Sequence, residues 1–268
     1  MAGEPGVVTS VQNRRVAAAR ALRRAKERAA SGRFLVEGAH AVSELVDSTA
    51  YGIGDVFVTA ELAKRESGLV DALRARGGDI VFVDDRVAGA LADTVHPQGV
   101  IAVASRPELD LAEMFAGRPH LVAVLDQVAD PGNAGTVIRT ADAFAADAVV
   151  LTGGSVDPYG GKCVRATAGS LFHLPVVTDV ELSFVVDAAR AAGMQVFAAA
   201  ATGEPVDSLA DALDRPTCWV FGNEAHGLAA APRWADRVVS IPQPGRAESL
   251  NLATAAAICL WSTAQRRR

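Results

Sequence analysis

Three stretches of the chain set polar side chains among glycine and proline in patterns that neither a plain core nor a plain surface requires. In QVADPGNAGTVIRTADAF, residues 127–144, Asp130, Pro131 and Gly132 spell a turn, Asn133 is suited to cap the following helix, and Arg139 falls in that helix's second turn. The free amides of a helix start can receive a phosphate, and a guanidinium adds a charge-assisted fork. Taken alone, the same text also describes a capping asparagine and a surface arginine. In FGNEAHGL, residues 221–228, two glycines bracket three polar groups, and Gly222 permits positive φ and close approach of backbone to a ligand. A tight strand-to-helix turn would use the same residues, and a lone histidine such as His226 reads as a structural hydrogen-bonder.

In the third stretch, IPQPGRAESLNL at 241–252, Pro242 and Pro244 forbid regular structure, so residues 241–248 form a loop long enough to wrap a small molecule. Ile241 and Leu250 give that loop an apolar rim on which an adenine could rest, and Ser249, Leu250 and Asn251 open the terminal helix, with Ser249 as its cap. A fourth stretch, DPYGGKCVRAT at 157–167, puts Lys162 and Arg165 at another helix start. It favours phosphate but fails the Gly-x-x-x-x-Gly-Lys-Ser/Thr pattern. No Gly-x-Gly-x-x-Gly follows a strand, and there is no Gly-x-Ser-x-Gly, no His-Glu-x-x-His and no cluster of His and Cys ligands. Nucleotide hydrolysis, triad hydrolysis and zinc chemistry are therefore unsupported.

These stretches must be held by a regular scaffold, and the pattern supplies one. Apolar runs at 55–59, 80–84, 99–104, 120–126, 147–152, 195–200, 218–222 and 237–241 predict strands. Helix-length segments at 38–48, 67–77, 133–146, 181–192 and 249–265 lie between most of them. Runs without strict alternation predict strands covered on both faces, and alternation with helices predicts an α/β fold with a parallel sheet. The three polar stretches each follow a strand, where ligands gather in open α/β sheets. RPELDLAEMFAGRPH at 106–120 reads as a linker, giving domains of 1–108 and 109–268.

Charge and composition narrow the class. Half of the 268 residues are hydrophobic and 21% are charged, which suits a chain with a sizeable core. No apolar stretch reaches the ~18 residues of a membrane span and no targeting signal opens the sequence, so a cytoplasmic protein without a membrane partner is expected. Cys163, Cys218 and Cys259 are scattered and odd in number, and read as buried thiols. The net charge of −5 hides an asymmetry. Residues 11–33 carry eight bases, Arg14 and Arg15 among them, against one acid, whereas residues 34–265 carry 15 bases and 29 acids. A basic segment on an acidic body fits a polyanion held locally, or simply a solvated helix face.

In this order and spacing, N-x-G-x-x-x-R at 133–139, FGNEAHGL at 221–228 and IPQPGRAESLNLATAAAICLW at 241–261 resemble the three motifs of the SpoU/TrmH family of the SPOUT superclass. Its members are S-adenosylmethionine-dependent RNA 2′-O-ribose methyltransferases. FLVEGAHAVSEL at 34–45 and HPQGVIAV at 96–103 are similar to the family's small amino-terminal substrate-binding domain. The stretch DPYGGKCVRATAGSLFHLPVV is similar to the one after its second catalytic-domain strand, with the departures that Thr167 stands where many members have serine and Gly160-Gly161 loosens the loop before it.

The resemblance implies a trefoil-knotted methyltransferase domain preceded by a small α/β substrate-binding domain, working as a homodimer on RNA, ribosomal 23S RNA foremost. It implies a cofactor, S-adenosylmethionine, gripped by Gly222, Ile241 and Leu250 mostly through backbone, and no metal. Asn133, Arg139, Glu224, Ser249 and Asn251 match the catalytic positions. Arg165 matches a basic position assigned to RNA, with Lys162, Arg14 and Arg15 as further RNA contacts. A guanidinium stays charged at any accessible pH, so Arg139 is read as a clamp on the adjoining phosphate that stabilises a developing alkoxide, not as a base. Glu224 and Asn133 would orient it, while Ser249 and Asn251 shape the loop. Three other readings stay open: a non-catalytic RNA-binding or ribosome-assembly protein, a transfer-RNA methyltransferase, and methylation of a base.

Overall fold

The computed structural model describes residues 6–223, 227–228 and 233–267, and the chain divides into two compact units. The first comprises the chain up to Glu108 together with Tyr159–His173. It opens with two short helices, α1 (Arg14–Ala21) and α2 (Ala25–Ser31), followed by β1 (Arg33–Glu37), α3 (Ala39–Asp47) and β2 (Gly52–Thr59). Next come α4 (Ala60–Arg65), α5 (Ser67–Ala75), β3 (Asp79–Val83), α6 (Asp85–Leu91) and β4 (Val100–Ser105). Its sheet runs β1-β4-β2-β3 and is mixed: β4 is antiparallel to both β1 and β2, and only β2 and β3 are parallel. This corrects the expectation of a parallel sheet for this part of the chain. The strand β4 enters between β1 and β2 from the opposite direction, and its central place explains why VIAVA is wholly buried.

Local rules account for the helices. Thr59 caps α4 and Asp84 caps α6 by accepting from the Leu62 and Val87 amides. The amino-terminal basic segment is two helices, not one. Arg28, only 9% exposed, donates to the Leu22 and Arg23 carbonyls at 3.0 and 2.9 Å and so closes the end of α1. Val16, Ala19 and Leu22 pack with Phe57, Val87, Leu91 and Ile101, which makes the segment part of the core.

The second unit holds Leu109–Pro158 and Leu174 onward. It contains α7 (Leu111–Ala116), β5 (Leu121–Leu125), α8 (Pro131–Ala143), β6 (Ala148–Thr152), β7 (Val176–Val180), α10 (Leu182–Ala191), β8 (Gln195–Pro205), β9 (Thr217–Phe221), β10 (Arg237–Ser240) and α11 (Leu252–Ala264). The intervening α9 (Gly161–Thr167) belongs to the first unit. Six strands in the order β10-β8-β9-β5-β6-β7 all run parallel. Every residue of β5, β6 and β9 is buried. Val122, Val124, Cys218 and Val220 face Phe115 of α7 and Val185, Val186 and Ala189 of α10. On the other face, Trp219 donates its indole N–H to Thr263 of α11 at 2.9 Å, and α8 packs beside α11. The stretch read as a linker contains α7, capped by Asp110 at 2.7 and 3.0 Å.

No helix among the described residues is long and apolar enough to cross a membrane. Nor does any group of three His, Cys, Asp or Glu among them come together to hold a metal ion.

Candidate active site at the carboxyl edge of the parallel sheet

A parallel sheet delivers all its carboxyl ends to one edge, and here the polar loops are laced together there. Asp126 continues β5 and accepts from the Thr152 hydroxyl at 2.8 Å, while the same hydroxyl accepts from the Gln127 amide at 3.0 Å. Asn223, two residues past β9, donates to the Gln127 carbonyl at 2.8 Å. Ser155, after β6, donates to the Leu125 carbonyl at 3.1 Å. Three adjacent strands thus share one hydrogen-bonded floor.

Above that floor the first and third motifs meet. The Asn251 side-chain amide donates to the Asn133 side-chain oxygen at 2.9 Å, across 118 residues of sequence. Asn251 also caps α11, its oxygen accepting from the Ala253 and Thr254 amides at 2.9 and 3.3 Å. The cap is therefore Asn251, and the expectation of Ser249 is corrected; Ser249 is exposed in the preceding loop. Likewise Asp130 caps α8, accepting from the Asn133 amide at 2.8 Å with Pro131 in the first turn. Asn133 lies inside the helix, which frees its side chain for Asn251. A carboxylate at that helix start already takes the Asn133 amide and opposes an anion, so the phosphate expected there loses its local basis.

Gly222 follows β9 with no positive φ; a Cβ there would lie 2.5 Å from the Gly227 carbonyl carbon and 2.6 Å from the Leu228 nitrogen. The close approach that glycine permits is to the chain's own 227–228 backbone, and Gly227, at φ +60°, makes the turn. Ile241 and Leu250, at the two ends of the proline-rich loop, are half-buried. Between them Gln243 holds a buried side-chain oxygen with no hydrogen-bond partner. Half-buried apolar ends and one unmet neutral acceptor suit an adenosyl group, so the residues present fit S-adenosylmethionine. Gln243 was not singled out from sequence; the available signal was an amide set between two prolines in an otherwise apolar run.

Arg139 lies in the third turn of α8, exposed, with no hydrogen bond or ion pair among the described residues. At 100° per residue it points away from Asn133, to which it is not bonded. Glu224, together with His226, lies outside the described residues.

Residues 120–261 match the SpoU rRNA Methylase family, and residues 13–102 match the MRM3-like substrate binding domain. The chain belongs to the SpoU rRNA methylase family. A relative from Bacillus subtilis, the 23S rRNA (guanosine(2553)-2'-O)-methyltransferase RlmP, is 36% identical over 95% of this chain and 97% of its own length. The 23S rRNA (uridine(2479)-2'-O)-methyltransferase of Streptomyces viridochromogenes is 33% identical over 90% of this chain and 85% of its own. Among solved structures, the AdoMet-bound rRNA methyltransferase from Sinorhizobium meliloti superposes with a TM-score of 0.85 at 32% identity, covering 99% of this chain and 100% of that one.

In this SpoU family member the basic residues of the first unit differ in how far they are engaged. Arg15 is held by Asp55 and Asp79, each at 2.6 Å; the hydrogen bond to Asp55 leads in raising its pKa. Arg165 sits 3.6 Å from Glu37 and 3.5 Å from Asp93, and Asp93 also binds Arg23 at 2.6 Å. Arg14 is exposed, as are Arg20, Lys26 and Arg33. Lys162 lies in the first turn of α9. Thr167 is fully buried and donates to the Val164 carbonyl at 2.7 Å, so at this position the hydroxyl serves the helix end.

Proposed function

We propose that this protein transfers a methyl group from S-adenosylmethionine to a ribose 2′-hydroxyl of ribosomal RNA, in the 23S molecule. The observation that carries the reading is the Asn133–Asn251 hydrogen bond, which joins the first and third motifs beside the Gln243 loop at the carboxyl edge of the sheet. Relatives named as 23S rRNA 2′-O-methyltransferases support the same substrate class.

Bound S-adenosylmethionine supplies a methyl group already activated on a sulfonium, so the protein must position and polarise the hydroxyl. Asn251 fixes the start of α11 and, through Asn133, the end of the 241–250 loop; Ser249 shapes that loop. Gly222, Ile241 and Leu250 line the cofactor. Arg139, charged and without a partner among the described residues, clamps the phosphate beside the target ribose and stabilises the developing alkoxide, while the phosphate or solvent takes the proton. Glu224 orients Arg139. Residues 1–108 with Tyr159–His173 form the RNA-binding domain, which moves the expected boundary, and the remainder of 109–268 forms the methyltransferase domain, whose carboxyl-terminal segment threads a loop to make a trefoil knot with the 241–250 loop inside it. Arg14, Lys162 and Arg165 meet RNA phosphates, with Arg15 securing the sheet beneath them. The active form is a homodimer: Arg139 faces outward with no partner among the described residues, and Trp261 of α11 is 50% exposed. The second copy completes the site around Arg139.

The test is transfer of labelled methyl from S-adenosylmethionine to purified 23S rRNA, followed by mass-spectrometric mapping of the product. A single alkali-resistant 2′-O-methylated linkage is expected. Label on a base, or transfer to transfer RNA alone, would overturn the reading.

A further inference from the structure

The Gln243 side-chain oxygen is the one buried side-chain nitrogen or oxygen among the described residues that lacks a hydrogen-bond partner. Such an atom is costly, because burial removes water and nothing replaces it. Folded chains tolerate it where a ligand completes the bond. Gln243 sits two residues beyond Ile241 in the loop that follows β10, at the carboxyl edge of a parallel sheet. Pro242 and Pro244 flank it, so the backbone on either side is stiff and the side chain is the adjustable part.

We infer that Gln243 reads the N6/N7 edge of the cofactor's adenine, its side-chain oxygen accepting from the exocyclic amino group and its amide nitrogen donating to the ring nitrogen N7. A carboxamide presents an acceptor and a donor side by side, the complement of an adenine edge. The residue as a whole is half-buried, and its terminal amide turns about a soft torsion, so the oxygen swings toward the open side of the loop as the base enters. The positively charged amino group of the methionine moiety would select a carboxylate, and ribose hydroxyls do not require a paired donor and acceptor. The base is the part of the ligand that matches. This makes Gln243 a specificity residue acting by side chain in a site otherwise held through backbone. It rests on the proposed cofactor, and its test keeps the two apart.

Calorimetry on the full chain compares S-adenosylhomocysteine with S-inosylhomocysteine, in which a carbonyl replaces the amino group. The parent should favour the adenosyl ligand by at least about tenfold, since on this edge the inosyl ligand presents two acceptors, its carbonyl and N7, and the carboxamide oxygen opposes one of them whichever way the amide turns. Gln243→Met, of similar length and without polar atoms, should lose most of that preference while its melting temperature stays at or above the parent's. A purely structural glutamine would instead weaken both ligands equally and lower the melting temperature. Parent affinities within twofold of each other, or a full preference retained in Gln243→Met, would overturn the inference. Failure of the parent to bind either ligand would overturn the cofactor assignment itself.

Discussion

Arg139 offers the cleanest separation of chemistry from folding. It is exposed in the third turn of α8 and engages no partner among the described residues. Arginine, lysine and alanine are all good helix formers, so Arg139→Lys and Arg139→Ala should each change folding stability by less than about 0.5 kcal/mol. Asn133, bonded to Asn251 rather than to Arg139, should not move. Any loss of activity then belongs to the reaction. A planar fork can bridge a phosphate oxygen and the reacting hydroxyl together, whereas lysine offers one compact charge of different reach. Forfeiting a charge-assisted interaction of ~3 kcal/mol slows the step by roughly a hundredfold. Arg139→Lys should approach that loss and Arg139→Ala should equal or exceed it. Single-turnover transfer of labelled methyl at saturating RNA removes binding from the measurement. If both variants react at near-parent rates, Arg139 is only a surface charge, and the phosphate clamp must be sought around Arg165.

Other consequences can be checked by simpler means. Asn251→Ala removes a helix cap and a side-chain hydrogen bond and should cost about 1–2 kcal/mol in urea denaturation; a double-mutant cycle with Asn133→Ala should return a coupling of about 0.5–1.5 kcal/mol. Thr263→Val strands the Trp219 indole N–H, in a pair no more than 1% exposed, and should cost about 1–3 kcal/mol in the same assay. Burial pushes the Cys218 and Cys259 thiols up from 9.0 to about 12, so they ionise in the unfolded chain first. Stability from this source is therefore intact below pH ~9 and falls as pH rises from there toward 12, at about 1.4 kcal/mol per unit for each thiol. Replacing both by alanine should flatten the parent's decline in urea midpoint between pH 8 and pH 10.5. Truncating the basic segment would remove Val16, Ala19 and Leu22 from the core, so its RNA role is better tested by Arg14→Ala, Arg20→Ala and Lys26→Ala together. Each lost phosphate contact should flatten the slope of log affinity against log salt by about 0.7–0.9, and an unchanged slope would return the segment to a solvated face.

How far the sequence discloses such a molecule depends on whether a feature is local. The strands β5, β6 and β9 read as strands because burial on both faces leaves an uninterrupted apolar run. β1 and β7 escape notice: RFLVE has two fully buried residues between charged ends, and VVTDV buries only its first two. The cap of α8 is Asp130 and not the expected Asn133, although the signal for it is local: proline prefers the first helical position and so points to the residue before it. Nothing local reveals that Tyr159–His173 folds with the first unit. That assignment rests on the Tyr159 ring 4.9 Å from Phe34, the Tyr51 hydroxyl donating to the Leu171 carbonyl at 2.9 Å, and Glu44 meeting His173 at 2.9 Å. The site divides in the same way. Motif spacing picks out Asn133 and Asn251 as polar residues at helix starts, but their mutual bond is a property of the fold. Once that bond is made, both ends of the Asn251 side chain are engaged, one on the helix and one on Asn133, which leaves the side-chain oxygen of Gln243 as the buried polar atom of the 241–250 loop without a partner among the described residues. A residue defined by what is missing around it cannot be found in a motif; it becomes visible only when its neighbours have been accounted for.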